Sequence, residues 1–212
     1  MCYRSAPYKP LVGVMNLLIA TRNQGKKVEY AEILGDLSLE LVTLDELGID
    51  TEVDETGSTY VENALLKARG YAQQAQTLTL ADDSGLEVDA LGGEPGVQSA
   101  RYGGAGASDE DRYRLLLQRL AGVPEEERTA RFRCVIALVW PDGREELVEG
   151  TCEGRITQEP RGNHGFGYDP VFFVPEYGRT MAELPPEIKN RISHRARAAQ
   201  KARAILEQTL HS

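Results

Sequence analysis

A strand, a loop and a helix in direct succession are predicted by the stretch NLLIATRNQGKKVEYAEILG at residues 16–35. Residues 17–20 form a short apolar run, which is typical of a buried strand. Residues 21–25 are polar and end in glycine, as turns do. A helical pattern begins at Lys26, and Gly35 is expected to end it. One face of this helix is predicted to carry Val28, Ala31 and Leu34.

Downstream of this unit the chain continues to alternate between helix and strand patterns. Thr59 and Glu62 have the spacing of a capping box, which predicts the start of a second helix. Residues 78–81 are apolar and predict a strand that ends at the polar segment 82–85. A third helix is expected over residues 108–120, capped by Ser108.

The second half begins with a hairpin pattern. Residues 131–140 alternate as a strand does, and Pro141-Asp142-Gly143 predicts a turn into a partner strand at residues 146–149. Further strands are expected near residues 151–156 and 171–174, and a last helix after Ser193. Helices interleaved with strands at both ends predict an α/β fold with a mixed sheet.

Composition limits the kind of protein this is. The chain has 212 residues, with 24 Lys and Arg against 33 Asp and Glu, a net charge of −9. A protein that coats nucleic acid or an anionic membrane normally has the opposite sign, and no apolar run approaches the roughly 18 residues of a membrane span. Three cysteines without C-x-x-C spacing, Cys2, Cys134 and Cys152, favour a reducing, cytoplasmic setting. We expect a disordered extension at residues 1–14 and a single domain at residues 15–212.

Residues 21–27, TRNQGKK, lie where the first strand ends and the first helix begins. The exposed amides and the dipole of a helix N-terminus attract anions. Thr21 and Asn23 can add donors, and Lys26 can add a positive charge. The glycine spacing of a Walker A loop is missing. The loop is therefore either a phosphate-binding segment or an ordinary capped turn.

Asp82 and Asp83 are adjacent carboxylates directly after an apolar run. Burying them requires a metal or a cation, because isolated buried charges are very costly. Mg²⁺ takes few oxygen ligands from protein and the rest from water and phosphates. Glu55 can supply a second ligand, although Asp54 is adjacent to it. The alternative is a surface turn stabilised by Asx hydrogen bonds.

Two motifs in the second half can bind a planar anionic ligand. In GFGYDP, residues 165–170, glycines flank Phe166, so that backbone can approach a ligand while the ring stacks on it. The alternative is a glycine-rich connection with Phe166 in the core. His194 and Arg195 lie in the first turn of the last helix, where the dipole disfavours cations, so an anionic or carbonyl-bearing partner is one interpretation and a surface ion pair is another.

Charge is segregated along the chain. Residues 28–66 contain eleven acids and no Lys or Arg, whereas residues 189–203 contain six Lys and Arg, His194 and no acid. These segments are either two solvated faces or the acidic and basic sides of one crevice. The second interpretation predicts that the Asp83 carboxylate and the Arg195 guanidinium lie close together.

Together these segments resemble the inosine triphosphate pyrophosphatase family, which clears nonstandard purine nucleotides. The resemblance covers the chain from Asn16 to near its C-terminus, although Arg22 stands where many members have glycine. The matching motifs occur in the family's order: ATRNQGK at 20–26, ETG at 55–57 with ENALLKA at 62–68, ADDSGL at 81–86, LGGEPG at 91–96 with SARY at 99–102, GFGYDP at 165–170 and SHR at 193–195.

The resemblance implies hydrolysis of ITP, dITP and XTP to the monophosphate and pyrophosphate with Mg²⁺, in a homodimer. The net charge and the absence of a long apolar run predict that the protein binds neither nucleic acid nor membranes. The resemblance also implies an elongated mixed sheet in two lobes with a nucleotide cleft. Asp83 would be the base and would bind magnesium with Glu55, and donors from His194, Arg195 or nearby backbone would select the 6-oxo group. The substrate-binding residues that it implies are Thr21, Arg22, Asn23, Gln24, Gly25, Lys26, Asn63, Lys67, Ser84, Phe166, Gly167, Tyr168, Asp169, Lys189, His194 and Arg195.

Three alternatives remain open on the sequence. One is a hydrolase of other modified nucleotides, pyrimidine or 7-methylated, on the same scaffold. Another is a nucleotide sensor without catalytic activity, and the third is a nucleic-acid-binding protein that uses its basic last helix, against which the net charge of −9 argues.

Overall fold

The computed structural model of the chain describes residues 14–211. Most of the predicted N-terminal extension, residues 1–13 with Cys2, therefore lies outside the described residues. The strands are β1 (Met15–Ile19), β2 (Leu39–Thr43), β3 (Leu78–Val88), β4 (Thr129–Val139), β5 (Glu145–Ile156), β6 (Phe172–Val174) and β7 (Arg179–Thr180). The α-helices are α1 (Gln24–Leu34), α2 (Tyr60–Ala75), α3 (Asp109–Arg119), α4 (Pro186–Ile192) and α5 (His194–Leu210).

These strands form one mixed sheet in the order β2-β1-β3-β4-β5-β6-β7. Strand β1 pairs in parallel with both β2 and β3, so that Leu17 lies opposite Leu41 on one side and Leu78 on the other. The pairs β5–β6 and β6–β7 are antiparallel. The predicted α/β fold with a mixed sheet is confirmed.

The described residues group into two compact units. The first comprises residues 14–82, Ile136–Val148 and residues 201–211, and the second comprises Asp83–Val135 and Glu149–Gln200. In the first unit Leu17, Leu18, Tyr30 and Leu34 are fully buried. The second unit has its own apolar core, which includes Leu86, Leu116, Leu120, Phe132, Ile156, Val171 and Phe172.

The predicted starts of α2, α3 and α5 are confirmed, whereas α1 begins at Gln24, ahead of the predicted Lys26. Helix starts depend mainly on residues a few positions apart. The Asn23 side chain accepts a hydrogen bond from the Lys26 amide at the start of α1. Thr59 with Glu62, and Ser108 with Asp111, form complete capping boxes on α2 and α3. Such caps satisfy backbone amides that have no partner within the helix.

Two details of the predicted pattern are wrong. Leu34 is buried as predicted, but Val28 and Ala31 are exposed, and Tyr30 is the other buried apolar residue of α1. The strand after residue 77 does not end at Ala81, since β3 continues to Val88 and contains both Asp82 and Asp83. The two aspartates are 2% and 6% exposed, which excludes the surface turn.

Elsewhere the predicted strands need smaller corrections. The two segments expected at residues 146–149 and 151–156 are one continuous strand, β5. Strands β2 and β7 and helix α4 carry weak sequence patterns and were not predicted. No helix within residues 14–211 has the length and apolar character needed to cross a membrane.

Arg128 is a buried cation that ties together the end of α3 and the end of β5. Its guanidinium donates to the carbonyl oxygens of Leu120, Val123 and Thr157 at 3.0–3.1 Å. Replacing Arg128 with Met should lower the free energy of unfolding by about 3 kcal/mol, because three buried acceptors would lose a charged donor. Urea denaturation measures the change.

Arg114 offers the matched control for that substitution. It lies on α3, is exposed, and pairs with Glu110 one turn away. Arg114→Met should change the free energy of unfolding by no more than about 0.5 kcal/mol. Equal losses in the two variants would contradict the structural role of Arg128.

Burial raises the pKa of the Cys152 thiol to about 11, above its usual value of 9.0. The unfolded chain therefore loses this proton at lower pH than the folded chain does. Cys152 should stabilise the fold fully below pH 9, and this contribution should be lost as the pH rises toward about 11. The midpoint of urea unfolding under reducing conditions, followed from pH 8 upward, should thus fall more steeply in the wild type than in Cys152→Ser. Parallel pH profiles would contradict this expectation.

Candidate functional site

The loop between β1 and α1 is organised around the first turn of the helix. The Asn23 amide donates to the Thr21 hydroxyl at 3.2 Å, and the Asn23 side chain accepts from the Lys26 amide at 3.0 Å. The Lys26 ammonium lies 2.8 Å from the Asp82 carboxylate, whose side chain is only 1% exposed. We call Thr21, Asn23, Lys26 and Asp82 the Lys26 cluster. It places a lysine that is paired with Asp82 in the first turn of α1, and a helix N-terminus favours anions.

Arg22 holds the same loop from its other side. Its guanidinium donates to the Ile49 carbonyl oxygen at 2.9 Å and lies 3.6 Å from Asp45 and 3.9 Å from Glu52. These contacts direct the Arg22 side chain toward the protein's own acids. Gln24 and Gly25 open helix α1.

Asn63 and Lys67 share one face of α2, as their spacing of four residues requires. Both side chains contact the segment that precedes the helix. The Asn63 side-chain oxygen accepts from the Gly57 amide at 2.8 Å, and the Lys67 ammonium lies 3.3 Å from the Glu55 carboxylate. Glu55 is thereby fixed while its side chain is still 30% exposed, whereas Asp54 is exposed.

Asp83 and Arg195 both contact Ser84 in the second unit. The Asp83 carboxylate accepts from the Ser84 amide at 2.9 Å. The Arg195 guanidinium donates to the Ser84 hydroxyl at 3.0 Å across 111 residues of sequence. The structure links the two residues through Ser84, whereas the closeness of the Asp83 carboxylate and the Arg195 guanidinium themselves stays a prediction.

Phe166 lies beside two cations of the same unit. The Lys189 ammonium is 4.7 Å from the ring centroid, and the Arg195 guanidinium carbon is 5.6 Å from it. Asp169 is buried and accepts from both Lys189 at 2.7 Å and the Phe166 amide at 3.0 Å. We call Phe166, Asp169, Lys189 and Arg195 the Phe166 cluster. The ring is partly exposed, which disagrees with the interpretation that it lies in the core.

Gly165 allows this arrangement by its backbone. Its φ is +77°, and a Cβ there would overlap the Asp169 carboxylate and lie 3.0 Å from the Lys189 ammonium. A residue with a side chain would therefore have a strained backbone and displace the ion pair. The two glycines of the motif differ in this respect, since a Cβ at Gly167 would have nothing within 4 Å.

Tyr168 and His194 flank the Phe166 cluster but pack inward. The Tyr168 hydroxyl donates to the Ser99 carbonyl oxygen at 2.9 Å, and burial raises the pKa of Tyr168, so it stays a donor at neutral pH. The His194 ring stacks on Phe132 of the core, with centroids 4.7 Å apart and planes at 14°. These contacts hold the loop and the start of α5 in place.

The start of α5 is also placed by Gly150 of strand β5. A Cβ at Gly150 would overlap the His194 carbonyl oxygen and lie 2.5 Å from the Ala198 amide nitrogen. The strand and the helix backbone are therefore in direct contact. The position of the backbone at His194 and Arg195 depends on this contact.

One residue of the Lys26 cluster was not predicted as part of a site. The sequence shows Asp82 as one of two adjacent acids, and the resemblance implies a role only for Asp83. The structure gives Asp82 the buried contact with Lys26. The signal in the sequence is that Lys26 follows shortly after the first strand, which pairs with β3 just before Asp82.

The carboxylates suited to a hard cation are few. Within residues 14–211 no group of three or more His, Cys, Asp and Glu side chains has the arrangement of a metal site. Asp83 is almost fully buried, and Glu55 is partly exposed. Each carboxylate taken by itself is a hard oxygen donor, the kind of ligand that Mg²⁺ takes from proteins.

The architecture is that of an α/β protein with a mixed sheet. Residues 17–205 match the sequence model of the Ham1 family. The chain therefore belongs to the Ham1 family.

Relatives of known name cover nearly the whole chain. The dITP/XTP pyrophosphatase of Desulforamulus reducens is 52% identical over 194 residues, which are 92% of this chain and 96% of the relative. That of Bacillus subtilis is 47% identical over 190 residues, which are 90% of this chain and 96% of the relative. A Ham1 protein structure from Coxiella burnetii superposes with a TM-score of 0.85 at 42% identity, covering 92% of this chain and all of the other.

Proposed function

We propose that this chain hydrolyses nonstandard purine nucleoside triphosphates, namely ITP, dITP and XTP, to the monophosphate and pyrophosphate. The observation that carries the proposal is the Ser84–Arg195 hydrogen bond, which links the Phe166 cluster to the residue that follows Asp83 in β3. In the proposed site, a surface for a planar base would lie near a buried carboxylate suited to acid–base chemistry. The dITP/XTP pyrophosphatases that are about half identical to this chain support the same activity.

The Phe166 cluster would bind the nucleobase. The partly exposed ring of Phe166 offers a stacking face, and base–aromatic stacking is worth about 1–3 kcal/mol. Arg195 and Lys189 can only donate hydrogen bonds. Donors suit the 6-oxo group of hypoxanthine and xanthine, whereas the 6-amino group of adenine would face them as a second donor. His194 and other nearby backbone groups would complete the proposed base site.

The Lys26 cluster would bind the phosphates. The amides at the start of α1 and the Lys26 ammonium can hold phosphate oxygens, with Thr21, Asn23, Gln24 and Gly25 contributing through the loop. Arg22 would act through its contacts with Ile49 and Asp45, which hold the loop in place. Asn63 and Lys67 would fix the segment that carries Glu55.

Magnesium is the metal that these residues suit. Glu55 and Asp83 are hard oxygen donors. Glu55 is partly exposed, and Asp83 precedes Ser84, which contacts Arg195. These carboxylates would suit an ion that takes its other ligands from phosphate and water. Asp54 is the alternative to Glu55. When bound, Mg²⁺ would neutralise charge on the phosphate oxygens.

The chemical step would be attack of a water oxygen on the α-phosphorus. The bond from this phosphorus to the bridging oxygen breaks, and pyrophosphate leaves. Asp83 would orient the water and accept its proton, because the Ser84 amide fixes the carboxylate from one side. Lys26 and Arg195 would offset the charge that develops on the phosphates. Positioning and charge neutralisation therefore account for most of the proposed rate enhancement.

The same proposal includes an assembly and a setting. We propose a homodimer in the cytoplasm that binds neither nucleic acid nor membranes. The net charge of −9 and the absence of C-x-x-C spacing support the last three points. Sedimentation of the purified full chain measures the oligomeric state.

The deciding experiment measures hydrolysis of ITP, XTP, GTP and ATP with and without Mg²⁺, with separate detection of pyrophosphate and orthophosphate. We expect kcat/KM for ITP to exceed that for ATP by at least about tenfold, because an adenine amino group would oppose a buried donor. Pyrophosphate should be the product. Comparable values for ITP and ATP would contradict the base selection, and tight nucleotide binding without pyrophosphate would indicate a sensor instead.

A further inference from the structure

Three consecutive residues, Phe166, Gly167 and Tyr168, each make a hydrogen bond that fixes the loop between β5 and β6. Within the loop, the Phe166 amide donates to Asp169, which also holds Lys189. At its far side, the Tyr168 hydroxyl donates to the Ser99 carbonyl oxygen. Gly167 lies between Phe166 and Tyr168, and its contact comes from helix α3.

Asp109, the first residue of α3, supplies that contact. One carboxylate oxygen accepts from the Gly167 amide at 2.7 Å, across 58 residues of sequence. The other accepts from the Arg112 guanidinium at 2.7 Å. A carboxylate is suited to this position because it accepts two hydrogen bonds and donates none. The Arg112 contact in turn holds the carboxylate in the direction of the loop.

A role limited to helix stability does not account for this arrangement. The start of α3 is already capped by Ser108 and Asp111, each of which satisfies an amide of the other. Glu110 completes an acidic first turn and pairs with Arg114. Asp109 is the acid of that turn that bonds to the loop.

We propose that Asp109 is a positioning residue for base recognition: through the Gly167 amide it fixes the direction in which the Phe166 ring faces the substrate base. Gly167 has a φ of +64°, so the peptide that follows Phe166 would have considerable freedom without this bond. Asp109 does not touch the base. This inference rests on the proposed function, since it assigns Phe166 to the base.

The test compares Asp109→Ala with Glu110→Ala, an acid-to-alanine change in the same turn without a loop contact. Both variants lose a negative charge at the helix start, so the comparison isolates the hydrogen bond. We expect Asp109→Ala to raise KM for ITP by about tenfold, the usual effect of a charge-assisted hydrogen bond, with kcat within about threefold. The preference for ITP over ATP should fall in Asp109→Ala and stay unchanged in Glu110→Ala.

A readout without catalysis accompanies the kinetics. Calorimetric binding of IMP should weaken in Asp109→Ala by a factor similar to the rise in KM, whereas binding of inorganic pyrophosphate should stay the same. A merely structural role would weaken both ligands or lower kcat. If Asp109→Ala does not fold, Asp109→Ser replaces it with the same expectations, because its hydroxyl is too short to reach the Gly167 amide.

The outcomes separate this inference from the proposed function. A wild type that does not release pyrophosphate from ITP overturns the proposed function. A wild type that is active on ITP, together with an Asp109 variant that matches Glu110→Ala in KM, base preference and IMP binding, overturns only the positioning role of Asp109.

Discussion

Replacing Asp83 with Asn should lower kcat for ITP by at least about 100-fold, within the usual range for an acid–base group. The amide has the size and shape of the carboxylate and can still accept from the Ser84 amide, but it cannot take a proton from water. Steady-state hydrolysis at saturating ITP and Mg²⁺ measures the loss. Binding of IMP, which lacks the scissile bond, should change by less than about threefold because the Phe166 cluster is intact.

Glu87 offers a control for that substitution on the same strand. It is partly buried and lies 3.8 Å from Arg131 and 3.6 Å from Arg133. Glu87→Gln should leave kcat within about twofold of the wild type. Turnover near the wild-type value in Asp83→Asn would exclude Asp83 as the base.

Replacing Phe166 with Ala should raise KM for ITP by about 5- to 150-fold, the equivalent of the 1–3 kcal/mol that stacking on a base contributes. The effect should appear chiefly in KM, because the ring is proposed to contact the base and not the reacting phosphorus. Phe166→Tyr, which keeps an aromatic face, should stay within about threefold of the wild type. Initial rates over a range of ITP concentrations give both parameters.

Phe173 is the matched control for Phe166. It is also a partly buried phenylalanine beside a cation, with the Arg155 guanidinium carbon 5.6 Å from its ring centroid. Phe173→Ala removes the same number of atoms and should leave KM for ITP within about twofold. A similar rise in KM in the two variants would mean that the effect of Phe166 is one of general stability.

The parts of the fold that the sequence predicted are those set by neighbours along the chain. Capping by Ser108, the turn at Pro141-Asp142-Gly143 and the helix stop at Gly35 each depend on a few adjacent residues. The continuation of β3 through Asp82 and Asp83 could not be predicted this way. Turn-forming residues occupy the interior of a strand there because Lys26, distant in sequence, offsets the charge of Asp82.

The candidate site shows the same difference between features set by neighbouring residues and features set by residues distant in sequence. The residue types of the loop at residues 21–26 and of GFGYDP predict anion and base binding, and both assignments stay predictions. The Ser84–Arg195 contact and the Asp109–Gly167 contact join residues 111 and 58 positions apart. Neither contact leaves a periodic trace in the sequence. The inward packing of Tyr168 and His194 was likewise hidden, since it depends on which aromatic neighbours the fold provides.

The contact of Gly150 with the backbone of α5 has a consequence for attempts to re-engineer this protein. With no side chain between strand and helix, the helix start cannot shift or rotate to accept a larger residue on the strand. Mutant libraries that aim to change the nucleobase preference should therefore leave Gly150 unchanged and vary side chains at other positions. Even a methyl group at position 150 would move the helix that carries Arg195.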